Sequence, residues 1–96
     1  MKRDLVNDLA DLPNIGKVLK RNLLEVDVKT PDELRSVGSR EAFLRIRATV
    51  DPGACLHVLH GIEGAIRGVP DSELPQDVRD ELRVFHRSLD GGVGNT

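Results

Sequence analysis

The stretch DLPNIGKVLKRNLLEVDVKTPDEL, residues 11–34, decides the fold class. A proline, an asparagine and a glycine fall within four residues, directly ahead of an apolar run at helical spacing. Ile15, Val18, Leu19 and Leu23 form one stripe, with Lys17, Lys20 and Arg21 off it, and this spacing predicts a helix over residues 14–24. Asp27-Val28-Lys29 reads as a turn. TPDEL then opens a second helix. Thr30 suits the N-cap, Pro31 the first helical position, where no N–H is needed, and Glu33 completes a capping box.

The same grammar extends outward in both directions. Upstream, Leu5, Leu9 and Leu12 repeat at the spacing of a short helix or a single turn. Downstream, Gly38 stops the second helix and Ser39 is expected to cap a third, with Ala42, Phe43 and Ile46 inward. Pro52-Gly53 breaks the chain again. Residues 54–67 form the next helix, carrying Leu56, Leu59, Ile62 and Ile66. An interior glycine costs a helix about 1 kcal/mol relative to alanine. Gly61 and Gly64, with Ala65, are therefore expected to form a close-packing face against another helix backbone, whereas Gly68 ends the helix. After a VPDSELP loop, Val78, Leu82, Phe85 and Leu89 mark a last helix. No segment alternates as a half-buried strand does. The chain reads as all-α, a compact single domain of five to six short helices over residues 1–89, with residues 90–96 as a disordered tail.

Composition limits the function. Ninety-six residues suffice for one small core, and the only aromatics are Phe43 and Phe85, so the core is built from Leu, Val and Ile. So few aromatics leave no stacking platform for single-stranded nucleic acid. The net charge of −2 lacks the basic excess usual in duplex binders, although residues 14–48 carry eight positive charges against five negative. One cysteine, Cys55, excludes an internal disulfide and fits a reducing compartment. Asp4 and Asp8 sit where a signal peptide needs an apolar run, and no stretch reaches membrane-spanning length. The expected location is cytoplasmic, with no membrane partner.

The Pro13–Gly16 loop has two readings. In one it is a helix-hairpin-helix phosphate loop: backbone N–H groups at a helix start face an anion, Lys17 and Lys20 add charge, Asn14 adopts a left-handed conformation and Gly16 keeps the backbone approachable. In the other, Pro13 and Gly16 only turn the chain while Ile15 plugs the core. A PxxG between helices is a weak signal, and the net acidity favours the second reading. Cys55, His57 and His60, with Glu63 and His86, invite a metal site: His60 and Glu63 share a helix face, but Cys55 and His57 do not face each other. Structural zinc normally has paired Cys or His at both ends, and Cys55 reads as a small packed side chain. Neither a nucleophile–base arrangement nor a cofactor loop is readable, so no catalysis, metal or cofactor is expected.

Taken in order, LPNIGKVLKRNLLEVDVKTPDELRSVGSREAFLRIR, CLHVLHGIEGAIRGV and LPQDVRDELRVFHRSL resemble the carboxy-terminal domain of the TfoX/Sxy family of bacterial competence regulators, over about residues 9–89. The ordered set is specific: an L-P-N-I-G turn, a T-P-[DE]-[DE]-L capping box, A-[FY]-L, L-x-x-x-E-G-A and a closing L-P helix. Asp27 departs from the glycine more usual in the family, Ser39 from alanine, and Val69-Pro70-Asp71 from a segment that often carries tryptophan. Complete members also have an amino-terminal domain of similar size. The resemblance implies a helix-hairpin-helix or SAM-like helical core. It also implies a non-enzymatic role in transcription of DNA-uptake genes, with the cyclic-AMP receptor protein as partner. The leading expectation is thus an interaction module, with helix 14–24 and the Gly61/Gly64/Ala65 face as candidate surfaces. The alternative is duplex DNA binding through Asn14, Ile15, Gly16, Lys17, Lys20 and Arg21, and the third is a homodimerisation module. The oligomeric state is not readable from the sequence.

Overall fold

A computed structural model describes residues 8–94, with side chains through Leu89. Leu5, in the amino-terminal repeat, lies outside the described residues. The described chain begins with a 3-10 turn, Leu9–Asp11, in which Asp8 accepts the Ala10 N–H at 2.8 Å. Five α-helices follow: α1 Lys17–Glu25, α2 Pro31–Val37, α3 Ser39–Thr49, α4 Leu56–Arg67 and α5 Gln76–Gly94, with a second 3-10 turn, Asp71–Glu73, between the last two. There is no strand among the described residues. The chain is an all-α single domain.

Each boundary has a local cause. Helix α1 ends where Asp27 turns left-handed, at φ 68°. The Asp27 N–H then reaches the Leu24 carbonyl and the Val28 N–H the Leu23 carbonyl, satisfying two terminal acceptors. Helix α2 starts on the capping box. The Thr30 hydroxyl accepts the Glu33 N–H at 3.1 Å, and the Glu33 carboxylate reaches back to the Lys29 N–H at 2.7 Å, one residue beyond the cap itself. Gly38, at φ 88°, closes α2 and opens α3, so Ser39 is not the cap. It is the first helical residue, buried, and its hydroxyl donates to Glu63 on α4 at 2.5 Å. Gly68, at φ 78°, ends α4 by returning its own N–H to the Ala65 carbonyl and that of Val69 to the Gly64 carbonyl.

Helix α4 is central, packing against α2, α3, α5 and the second 3-10 turn. Its sequence explains the placement: Leu59, Gly61, Ile62, Gly64 and Ala65 are all buried, a wider apolar arc than a surface helix carries. Leu9, Leu23, Leu34, Phe43, Ile46 and Leu82 close around it. Each such side chain contributes about 1.5–3 kcal/mol by leaving water. Of the two aromatics, only Phe43 is fully buried. Phe85 is half-buried under the Arg40 guanidinium, 5.6 Å from its ring centre. His86 takes the place beside Phe43, with ring centres 5.8 Å apart.

Several expectations change. Val18 is 67% exposed rather than part of the apolar stripe, because the stripe of α1 turns inward through Leu19 and Leu23 only. Cys55 is exposed at the start of α4 rather than packed. The backbone of α5 continues through residues 90–94, assigned above to the tail, because extending a formed helix adds a hydrogen bond for each residue ordered. Residues 95 and 96 lie outside the described residues. No described helix is long and apolar enough to cross a membrane.

Candidate interaction face

The Pro13–Gly16 loop is placed by Asn14. Its backbone is left-handed, at φ 73°, and its side chain joins three segments of chain that are distant in sequence. The Asn14 amide nitrogen donates to the carbonyls of Gly61, at 3.2 Å, and Val69, at 3.0 Å, while its oxygen accepts the Asp71 N–H at 3.1 Å. Two carbonyl partners and one N–H partner fix which way the amide points. All of its side-chain groups are therefore engaged within the domain. Ile15, 6% exposed, points into the core and offers no surface to a partner.

Gly61 and Gly64 are the floor on which this latch rests. A Cβ at Gly64 would sit 2.6 Å from the Asn14 amide nitrogen and 2.7 Å from the Val69 carbonyl oxygen, whereas one at Gly61 would meet Asn14 only at 3.6 Å. The face is thus closed by the Asn14 loop and by the chain leaving α4, in place of another helix backbone. The chain doubles back after Gly68 and reaches α4 before any helix could. Ala65 is buried in the same core.

What remains accessible is the outer side of α1. Gly16 is its N-cap, exposed and without a side-chain cap, and a Cβ there would meet nothing within 4 Å. Lys17 and Arg21 make no ion pair among the described residues, and Val18 stands between them. Lys20 is different: its ammonium lies 2.9 Å from the Asp8 carboxylate. The Ala10 N–H and then Lys20 hold the Asp8 carboxyl below the usual carboxylate range. Beside α1, a groove of about 410 Å³ has Val18, Leu19 and Val58 among its apolar walls. Asp51, His57 and Asp71 line its polar part, with His57 Nε2 at 3.7 Å from Asp71.

The histidines and the cysteine do not converge. His60 points toward the Arg79 side of α5, and its Nε2 is buried without a hydrogen-bond partner. Burial lowers its pKa, and the Arg79 and His57 charges add to that, against the Arg79 carbonyl and Asp71. Burial pushes the Glu63 carboxyl up, but the Ser39 hydroxyl and the Arg67 guanidinium at 2.7 Å together hold it below its ordinary value. Among the described residues no group of three or more His, Cys, Asp or Glu side chains could hold a metal ion.

Fold and face together define a small helical domain whose accessible features are surfaces. The TfoX C-terminal domain model matches residues 6–86. The chain is 36% identical over 81 residues to protein Sxy of Escherichia coli (strain K12), a match covering 84% of this chain and 38% of that protein. An uncharacterised protein from Listeria monocytogenes in a triclinic crystal form is 46% identical, with a TM-score of 0.85 over 88% of this chain and 94% of that one. A Listeria monocytogenes protein of unknown function in a tetragonal form is also 46% identical, with a TM-score of 0.83 over 85% and 99%. The chain belongs to the TfoX C-terminal domain family. It spans 38% of the length of the Sxy relative.

Proposed function

We propose that this domain is a non-enzymatic regulatory module of the TfoX/Sxy type, acting through protein contacts in the transcription of DNA-uptake genes. The family match supports the regulatory class. The outer face of α1 supports the mode of action: an exposed valine between two cations with no ion pair among the described residues, beside a groove with both apolar and acidic walls, is the composition of a protein-docking surface. The cyclic-AMP receptor protein, which the family resemblance implies, is the first partner to test. Immobilised domain should capture purified receptor protein. Val18→Asp, and separately the pair Lys17→Glu with Arg21→Glu, should each weaken capture at least about tenfold, a loss of about 1.4 kcal/mol. Capture at wild-type strength by both variants removes α1 from the interface.

A second reading, duplex DNA binding, is favoured by one observation: the start of α1 is exposed and carries no side-chain cap, with Gly16 open to approach. It ranks below protein docking because Asp51 and Asp71 line the adjoining groove and repel phosphate. Titration with duplex DNA at low and moderate salt separates the two. Tight binding that falls steeply with salt would promote the DNA reading, and no binding at low salt would dismiss it.

A further inference from the structure

The side of α5 turned away from the core carries a second surface, independent of α1. Val84 is 64% exposed there, the one large apolar side chain to be so among the described residues of α5. It borders a hollow of about 450 Å³ whose other edges are Arg40, Asp80, Glu81 and Phe85, and whose walls are almost entirely apolar. The Arg40 guanidinium lies over Phe85, so the arginine stem extends the apolar floor. A protruding side chain next to a hollow of its own kind suits packing between two copies of one helix.

The charges specify the copy and its direction. Glu81 precedes Val84 by three residues and Arg87 follows it by three, so each lies about 4.5 Å from Val84 along the axis, on opposite sides. A two-fold axis through Val84 sets Glu81 of one α5 opposite Arg87 of the other, and the reverse, forming two identical pairs. Parallel pairing would instead set Glu81 against Glu81 and Arg87 against Arg87. Arg87 makes no ion pair among the described residues. Glu81, with a side chain 68% exposed, reaches only Arg40, at 4.0 Å. Both are available.

We propose that the domain self-associates through α5 as an antiparallel pair centred on Val84, the two valines packed against one another beside the two hollows and flanked by Glu81–Arg87 contacts. The surface is isologous, as closed two-fold assembly requires. It is also small, so association is weak and depends on concentration.

Sedimentation equilibrium from about 10 µM to about 1 mM tests the proposal. The mass should climb from 10.6 kDa toward twice that value and no further. Val84→Asp should stay at the lower mass throughout. Glu81→Arg and Arg87→Glu should each lose association at least about tenfold. An equimolar mixture of those two variants should recover it, because one then presents arginine at both flanking positions and the other presents glutamate at both. The sites are exposed, and circular dichroism checks that each variant remains helical. A wild-type mass that never rises, growth past the dimer, unimpaired self-association of Val84→Asp, or no recovery in the mixture would each overturn it.

Discussion

Asn14 occupies a backbone conformation that costs most residues about 1–2 kcal/mol, and it offsets that cost with three side-chain hydrogen bonds. Alanine would keep the strain and lose the bonds. Asn14→Ala should therefore lower unfolding stability by about 2–3 kcal/mol, read from the urea midpoint. Asp27 is the opposite case. It is also left-handed, but its carboxylate reaches only Lys29, at 3.2 Å, where both side chains are exposed. Asp27→Gly should raise stability by about 0.5–1 kcal/mol in the same experiment. Equal effects at the two positions would mean that the Asn14 side chain adds nothing beyond its backbone tolerance. The left-handed turn at Asn14 is legible in the residue type. Its partners are not, because Gly61, Val69 and Asp71 lie 47 to 57 residues away and no local pattern points to them.

Helix α4 shows what glycines do for an element. Two glycines three residues apart look equivalent on a helical wheel, yet space around them differs. Gly64 faces a backbone carbonyl that cannot withdraw without opening the turn that ends the helix, whereas Gly61 has ordinary contact distance to spare. Gly61→Ala should leave stability unchanged or raise it by up to about 1 kcal/mol through helix propensity. Gly64→Ala should lower it by about 2–3 kcal/mol through overpacking. Thermal melts of the two variants decide the matter, and a shared sign would show that the close approach at Gly64 is not maintained in solution. The capping box of α2 is legible in the same local way, since both partners lie within four residues of Thr30. Ser39 is not: its hydroxyl suits a cap, but Gly38 already supplies the break, and Glu63 on a neighbouring helix accepts the hydrogen bond.

At the scale of the whole molecule, acid acts through His60 and Glu63, with Asp8, whose carboxyl is also lowered, adding to the lower stage. The pKa of His60 is lower in the fold than its ordinary 6.5, so below that pH the unfolded chain binds more protons than the folded one. Stability then falls as pH drops from 6.5 toward the folded value. Glu63 is also lowered, from 4.5, and its contribution is present above that pH and lost as pH falls through the folded value. Urea midpoints should thus be level above about pH 7 and decline in two stages. His60→Gln should flatten the upper stage and leave the lower one in place. An unaltered upper stage in that variant would assign it to another group.

Helices, the capping box at Thr30, the stop at Gly38 and the family were legible in the linear order of residues, because helix periodicity and capping are set by groups within about four positions of one another. The same short range kept the side of each residue that faces a neighbour out of reach. Val18 and Leu19 are adjacent apolar residues on one predicted stripe, and only the positions of α3 and α4 pack one of them against the core and leave the other exposed. Asn14 as a latch, the unequal glycines and the hollow beside Val84 all depend on where a second segment arrives in space. Contacts between distant segments come from packing the domain as a body, and no neighbour in sequence records them.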